Sequence, residues 1–374
     1  MAHRPTAVVV GGTGPTGPHV VNGLIDRGYE VVLFHRGTHE SDEIPEIEHI
    51  HGDPHFAETI AEALGDRQFD LVVAMYGRVR FLAQHFAGKT KKFISVGSVS
   101  ATRGHFAPEA LYPKGLALNA DETSPVVANA QEPDGKFAWR IADTERQILE
   151  LHPSATILRY PLIYGPNQLL FTEWTMIRRA LDRRPFLILP DGGLRISMRG
   201  YAVNMAHAVL CAVDRPEAAA GQIFNCGDDT QLTMRQMADV VAHTVGHEWE
   251  ILSLPARVAV PAWYMNYTDP KGSWHRLYGT TKLQQRLGYK DVVDPVAGLA
   301  TTSQWYLDRK DTHAEDIEKR LGDPFDYAAE DTLAGMIRTF EADVLATIQS
   351  DHELTPHPYA HPDKPNQATD KRGR

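Results

Sequence analysis

Cysteine is nearly absent: Cys211 and Cys226 are the only two in 374 residues. That count excludes a disulfide scaffold, and both lie in apolar segments, which reads as two reduced, buried thiols. Long apolar runs are missing too. Nothing approaches the ~20 residues a bilayer crossing needs, and no signal-like apolar region follows Met1, so the expectation is a cytoplasmic protein with no membrane partner. Excess positive charge is also lacking. The formal net charge is -10, whereas a nucleic-acid surface needs a basic stripe to neutralise phosphates; no nucleic-acid partner is expected. Metal signals are thin. His49 and His51 alternate on a strand-like segment near Asp53 and His55, and the tail holds His352, His357 and His361. None has a zinc spacing on an evident scaffold, so no metal is expected. No G-x-S-x-G nucleophile turn is present.

What the sequence does contain is a regular alternation. Apolar residues make up 43% and charged residues 23%, a soluble globular balance. Residues 6–10 (TAVVV) form a continuous β-branched run, as in a strand buried on both faces of a parallel sheet. Further strands are predicted over 30–34, 48–51, 69–74, 92–96 and 155–158, with helices over 18–28, 58–64, 81–86 and 136–151 between them. Repeated β-α-β units of this kind predict a Rossmann-type, doubly wound parallel α/β sheet over residues 1–165. Residues 166–310 read as a smaller, mixed substrate-binding lobe that also returns elements to the core; within it, 232–244 is a helix with Thr233 as N-cap. Residues 311–350 read as a helical extension. Its stripe of Leu333, Met336, Ile337, Phe340, Val344 and Ile348 packs on the body of its own chain or forms a homodimer interface. The Pro-, His- and charge-rich residues 351–374 read as a disordered tail.

The sharpest local signal is Gly11-Gly12-Thr13-Gly14-Pro15-Thr16-Gly17, between the first strand and the first helix. Gly11, Gly14 and Gly17 give G-x-x-G-x-x-G spacing. A side chain at Gly11 or Gly14 would block the tight turn or the approach of a pyrophosphate to the backbone, and Gly17 lets helix and strand pack closely. Thr13 and Thr16 lie within the cradle. The helix N-terminus offers unpaired N–H groups and a positive dipole end to the phosphates. The second strand ends in Phe34-His35-Arg36-Gly37, with no carboxylate to accept a ribose 2′-OH; Arg36 suits a 2′-phosphate instead. The cofactor expected is NADP in preference to NAD. Asp53, after the third strand, suits the adenine amino group.

With those residues in view, the chain resembles an extended, epimerase/dehydratase-type short-chain dehydrogenase/reductase over residues 5–308. The resemblance rests on the glycine turn, Gly52-Asp53, the segment 93–99 (FISVGSV), Arg159 with Tyr164-Gly165-Pro166, the segment 221–227 (GQIFNCG) ahead of Thr233, and Leu287-Gly288-Tyr289 with Trp305. It implies an enzyme that uses a nicotinamide cofactor on a small-molecule substrate. It also implies a Ser or Thr, a Tyr, and a Lys four residues later, the Lys tuning the phenol that moves the reaction's proton. Here the sequence departs. Aligning Glu145 on the family's helix Glu puts Phe137 in the Tyr place and Ile141 in the Lys place. Val96 takes the Ser/Thr place, or Ser98 after a shift. That relay is therefore absent on this alignment.

Three hydroxyls are candidates to replace it: Ser98 at the end of the fifth strand, Tyr76 after the fourth, and Tyr160 after the sixth, with Tyr76 and Tyr160 also expected beside the cofactor. Tyr164 reads as structural. Ser197 stands where nucleotide-sugar enzymes of the family place a clamping Arg, with Arg195 and Arg199 close by. Trp263, Tyr264 and Tyr267 form an aromatic segment that either lines an apolar substrate pocket or fills the small lobe. The readings are an NAD(P)-dependent oxidoreductase acting on a small aromatic or apolar carbonyl or alcohol; a redox-neutral epimerase, dehydratase or lyase with a tightly held nicotinamide cofactor; and a non-catalytic dinucleotide sensor.

Overall fold

Strand β1 (Thr6–Val10) is buried from Ala7 to Val10, where each side chain removed from water contributes about 1.5–3 kcal/mol for residues of Val size. We analysed a computed structural model of the chain, which describes residues 4–38, 40–168, 170, 172–263, 272–348 and 365, apart from the side chains of 312 and 313. Along the chain follow α1 (Gly17–Asp26), β2 (Glu30–His35), β3 (Glu48–His51), α2 (Ala57–Leu64), β4 (Phe69–Ala74), α3 (Val79–His85), β5 (Thr90–Ser98), α4 (Gly135–Leu151), β6 (Thr156–Tyr160), β7 (Leu162–Tyr164), α5 (Trp174–Leu181), β8 (Phe186–Pro190), β9 (Arg199–Tyr201), α6 (Ala202–Asp214), α7 (Pro216–Ala219), β10 (Ile223–Asn225), α8 (Met234–Val245), β11 (Glu250–Leu254), α9 (Thr281–Leu287), α10 (Pro295–Leu307), α11 (Lys310–Leu321) and α12 (Tyr327–Thr347).

The central sheet has seven parallel strands in the order β10-β6-β5-β4-β1-β2-β3. Its two faces are separate cores. On one, Val9, Leu33, Val73 and Ile94 meet α1 and α6 residues such as Val21, Leu24 and Val209. On the other, Val8, Val10, Phe34 and Val72 meet Ile60, Leu82 and Ile148. A strand whose successive side chains enter opposite cores must be apolar throughout, which is what TAVVV reflects. The expected doubly wound sheet is what the chain forms, and the chain does return to it after the sixth strand through β10. Two small parallel pairs, β7–β9 and β8–β11, lie outside the sheet.

Local predictions at α8 hold in detail. The Thr233 hydroxyl accepts from the Gln236 amide while the Gln236 side chain accepts from the Thr233 amide, a reciprocal cap. Cys211 and Cys226 are free and buried. Among the described residues no helix is long and apolar enough to cross a membrane.

Residues up to Phe325 form one compact unit and those from Asp326 a second. The second is built on α12, whose first turn is capped by Asp326 accepting from the Ala329 amide. Along α12, Ile337 is buried while Met336 and Phe340 are exposed, as is Ile348 just past its end. The expected disordered tail lies outside the described residues, Pro365 excepted.

Candidate functional site

The glycine turn leaves β1 at Gly11 and Gly12, with φ of 100° and 69°, values that favour glycine. The Gly11 amide donates to the Phe34 carbonyl (3.0 Å), and a Cβ on Gly11 would stand 2.7 Å from the Tyr76 Cβ. Gly17 lies flat on the Gly12 carbonyl, where a Cβ would overlap it. Gly14 differs: a Cβ there would point into open space. Thr13 is half-buried beside it, and Thr16 is the buried N-cap of α1, making no side-chain cap bond. With no acidic residue in its first turn, α1 keeps the positive end of its dipole and its unpaired amides available to an anion. This cradle fits a dinucleotide pyrophosphate.

The residues expected at the other end of such a cofactor come together on the β1–β2 side of β4. The Arg36 guanidinium lies 5.6 Å from the centre of the Tyr76 ring, a cation–π distance, and the His55 ring meets Tyr76 edge-on at 5.0 Å. The Asp53 carboxylate caps its own turn, accepting from the His55 amide (2.9 Å) and engaging the His55 ring (2.7 Å). Burial alone would raise its pKa; those bonds outweigh it and hold the carboxyl below the usual range. Tyr76, 42% exposed, thus sits with Arg36 and Asp53 and not with Ser98.

Ser98 belongs to a different wall. It ends β5, and its Oγ accepts from the Ser100 amide (3.1 Å) and bonds the Ser100 hydroxyl (3.0 Å). Ser100 Oγ meets His105 Nε2 (3.2 Å), and His105 Nδ1 meets the Tyr278 hydroxyl (2.6 Å). The four residues form one continuous hydrogen-bonded chain. Burial, followed by the Arg276 and Arg195 charges, lowers the His105 pKa to about 3, so the ring is neutral at pH 7. Burial pushes the Tyr278 phenol well above its ordinary value, so it is a donor. With Tyr278 donating to Nδ1, the neutral ring carries its proton on Nε2 and donates to Ser100.

Two further contacts fix the His105 loop. Buried Asp134, just before α4, accepts from the amides of Gly104 (2.8 Å), Phe106 (2.8 Å) and Ala107 (3.3 Å). Arg276 Nε donates to the His105 carbonyl (2.8 Å). Sequence reading missed Ser100, His105, Asp134 and Tyr278. Ser100 alone had a signal, two residues from Ser98; the others come from separate segments with no motif of their own.

All four chain members line a cavity of about 600 Å³, together with Arg195, Ser197, Arg199, Arg276 and an apolar set that includes Phe106, Phe137, Leu162, Met198 and Met237. Phe137 stands in this wall, 64% exposed, with its ring 5.9 Å from that of Phe106. It has no proton to give. Arg199 is already paired with buried Glu173. Arg276, whose Nε donates to the His105 carbonyl, and buried Arg195 also line this wall beside Ser197.

Three expectations are corrected. Tyr160 does not join the site: its hydroxyl donates to the Met205 carbonyl (2.6 Å) inside the core, and burial pushes its pKa far up. Trp263 is not among the cavity-lining residues; its indole N–H donates to the Ala256 carbonyl of its own turn (2.7 Å). Tyr264 and Tyr267 lie outside the described residues. The expected absence of any metal scaffold also fails: donor atoms of His35, Glu40, His49 and His51 all lie within 4.8 Å of one another, because pairing of β2 with β3 joins histidines that are far apart in sequence. Tyr164, by contrast, is structural, donating to buried Asp228 (2.8 Å). Arg159, the start of the same motif, is buried and makes a bidentate pair with Glu145 (2.8 and 2.6 Å).

The sheet order and the glycine turn define the fold class: a Rossmann-type, doubly wound parallel sheet with a glycine-rich turn between its first strand and first helix. Residues 7–94 match the model of the NAD dependent epimerase/dehydratase family. The chain is 24% identical over 259 residues to the NADH dehydrogenase [ubiquinone] 1 alpha subcomplex subunit 9, mitochondrial, of Arabidopsis thaliana, a match spanning 68% of this chain and 61% of that one. It is 25% identical over 278 residues to a 3-diazoavenalumate denitrifying reductase from a Streptomyces species, covering 70% and 88% of the two chains. In fold it is similar to the UDP-glucose 4-epimerase of Thermotoga maritima solved with UDP-glucose, with a TM-score of 0.64, 17% identity and coverage of 81% and 99%.

Proposed function

We propose that the chain is an NAD(P)-dependent oxidoreductase whose proton route runs through Ser98, Ser100, His105 and Tyr278. The observation that carries this reading is the unbroken hydrogen-bond chain on the wall of a cavity where Phe137 replaces the usual phenol. Gly11, Thr13, Gly14, Thr16 and Gly17 would hold the cofactor's pyrophosphate, and Arg36, Asp53 and Tyr76 its adenosine end; Arg36 favours NADP. When bound, the nicotinamide supplies hydride exchange.

The residues do the rest. Ser98 donates to, or accepts from, the substrate oxygen, and Ser100 restores the Ser98 proton. His105 passes its Nε2 proton to Ser100 while taking the Tyr278 proton at Nδ1, and water in the neighbouring opening that Tyr278 also lines returns a proton to the phenol in the same relay. Since its doubly protonated form is disfavoured, the ring relays a proton and does not store it. Asp134 and Arg276 hold the His105 loop in register. The apolar wall suits a small aromatic or aliphatic body, and the Arg276 guanidinium suits an acidic or oxygen-rich group on it. The relationship to a reductase supports this substrate chemistry.

The test is NADPH and NADH oxidation with a panel of aromatic aldehydes, ketones and enones, with and without a carboxylate. Ser98→Ala and His105→Phe should each lower kcat by about 10²–10⁴ and leave NADPH affinity unchanged. Wild-type turnover in both variants would sink the relay. A redox-neutral reaction is favoured by the epimerase among its structural neighbours; stoichiometric cofactor released on denaturation, without net oxidation of added NADPH, would select it. Cofactor binding with no turnover of any kind would select a sensor, the reading that Phe137 and Ile141 favour.

A further inference from the structure

We propose that His35, Glu40, His49 and His51 form a binding site for one divalent transition-metal ion of the zinc class, at the β2–β3 edge of the sheet. The scaffold follows from strand geometry. His49 and His51 are two residues apart on β3 and so share a face. His35 ends β2 and pairs in register with His51, which puts all three imidazoles on that face. Glu40, in the connection between the strands, closes the group.

The distances match a small ion. His35 Nε2 lies 3.1 Å from His49 Nδ1. Glu40 carboxylate oxygens lie 3.3 Å from His49 Nδ1, 3.7 Å from His35 Nε2 and 3.9 Å from His51 Nε2. A tetrahedral ion with bonds of 2.0–2.1 Å holds its donors about 3.3–3.4 Å apart. Small movements of exposed Glu40 and His51 complete that figure, and their exposure gives the ion a way in. Three imidazoles and one carboxylate suit zinc and its neighbours; magnesium and calcium prefer all-oxygen shells.

The protons also balance. Without the ion, the Gly37 amide donates weakly to His35 Nδ1 (3.3 Å), so the ring proton sits on Nε2 and points at His49. On loading, that proton moves to Nδ1 and the Gly37 amide turns away, a motion open to a glycine at φ 71°.

The test uses the full chain, free of affinity tags and stripped of metal, titrated with Zn²⁺ against a chromophoric chelator. The expected result is one tight site per chain, weakened about a hundredfold or more in His49→Ala and clearly weakened in Glu40→Gln. Co²⁺ should give the intense visible bands of a four-coordinate ion in the wild type alone. Absence of a stoichiometric site in the wild type overturns the proposal. So does binding that survives both variants, since it would then reside elsewhere, for instance on the tail histidines. Glu40 is surface-exposed, so Glu40→Gln reports even if His49→Ala fails to fold. NADPH titration of both variants keeps this result separate from that of the oxidoreductase reading.

Discussion

The glycine turn and the cavity wall are assembled by opposite routes. The turn is seven consecutive residues, three of them fixed by the main chain: Gly11 and Gly12 by positive φ, Gly17 by contact with the Gly12 carbonyl. The wall is assembled from Ser98 and Ser100 after β5, His105 on a loop held by Asp134, and Tyr278 far along the chain. A main-chain requirement is written in residue order. A side-chain constellation is written only in space, and its members look ordinary wherever they occur.

Four experiments sharpen or break that contrast. The largest effect belongs to the scaffold beneath both regions. Glu145→Ala leaves the Arg159 guanidinium buried and uncompensated between α4 and β6, and should cost about 3–5 kcal/mol in chemical denaturation; a loss under about 1 kcal/mol would mean water replaces the carboxylate. Next come two glycines of one turn. Gly17→Ala must push the Gly12 backbone aside and should lower stability by about 1–3 kcal/mol, the cost of overpacking. Gly14→Asp should keep the wild-type melting temperature and lose NADPH binding, because its side chain enters the space where a pyrophosphate would lie. Equal melting losses in the two would erase the distinction between packing glycine and ligand glycine.

The third concerns the wall. With His105 neutral down to about pH 3, kcat/KM should show no acid limb near the ordinary histidine range. A limb near pH 6.5 that disappears in His105→Gln would show that the ring charges during turnover. The smallest effect is remote from both regions. Burial first, then the Asp228 charge, raises the Asp291 pKa to about 7. The folded state therefore binds more protons than the unfolded state between about pH 4 and 7, so this carboxyl stabilises least above pH 7. Asp291→Asn should raise the melting temperature at pH 8 by a few degrees at most and change it little at pH 4.5. The same shift at both pH values would reject the ionisation as its cause.

The fold was legible wherever burial on both faces imposes an unbroken apolar run, as in TAVVV, or where a helix start requires a cap, as at Thr233. Arg36 and Asp53 were visible singly at their strand ends, whereas Tyr76, expected in one crevice with Ser98, stands beside Arg36 and His55 instead. Tyr160 misled because its hydroxyl turns inward to the Met205 carbonyl, a choice made by α6 packing against β6. The histidines of β2 and β3 were visible singly, but their meeting depends on strand register.

By itself, then, the amino-acid order determined a parallel sheet, a glycine turn that opens the first helix and, at Phe137, a side chain without a hydroxyl. Tertiary structure alone decided that His105 and Tyr278 join Ser98, that Tyr160 is spent in the core, and that four metal-competent donors face one another at the sheet edge. Periodicity and glycine constraints act between neighbours a few residues apart, whereas hydrogen bonds between distant side chains exist only once packing has fixed where each element lies.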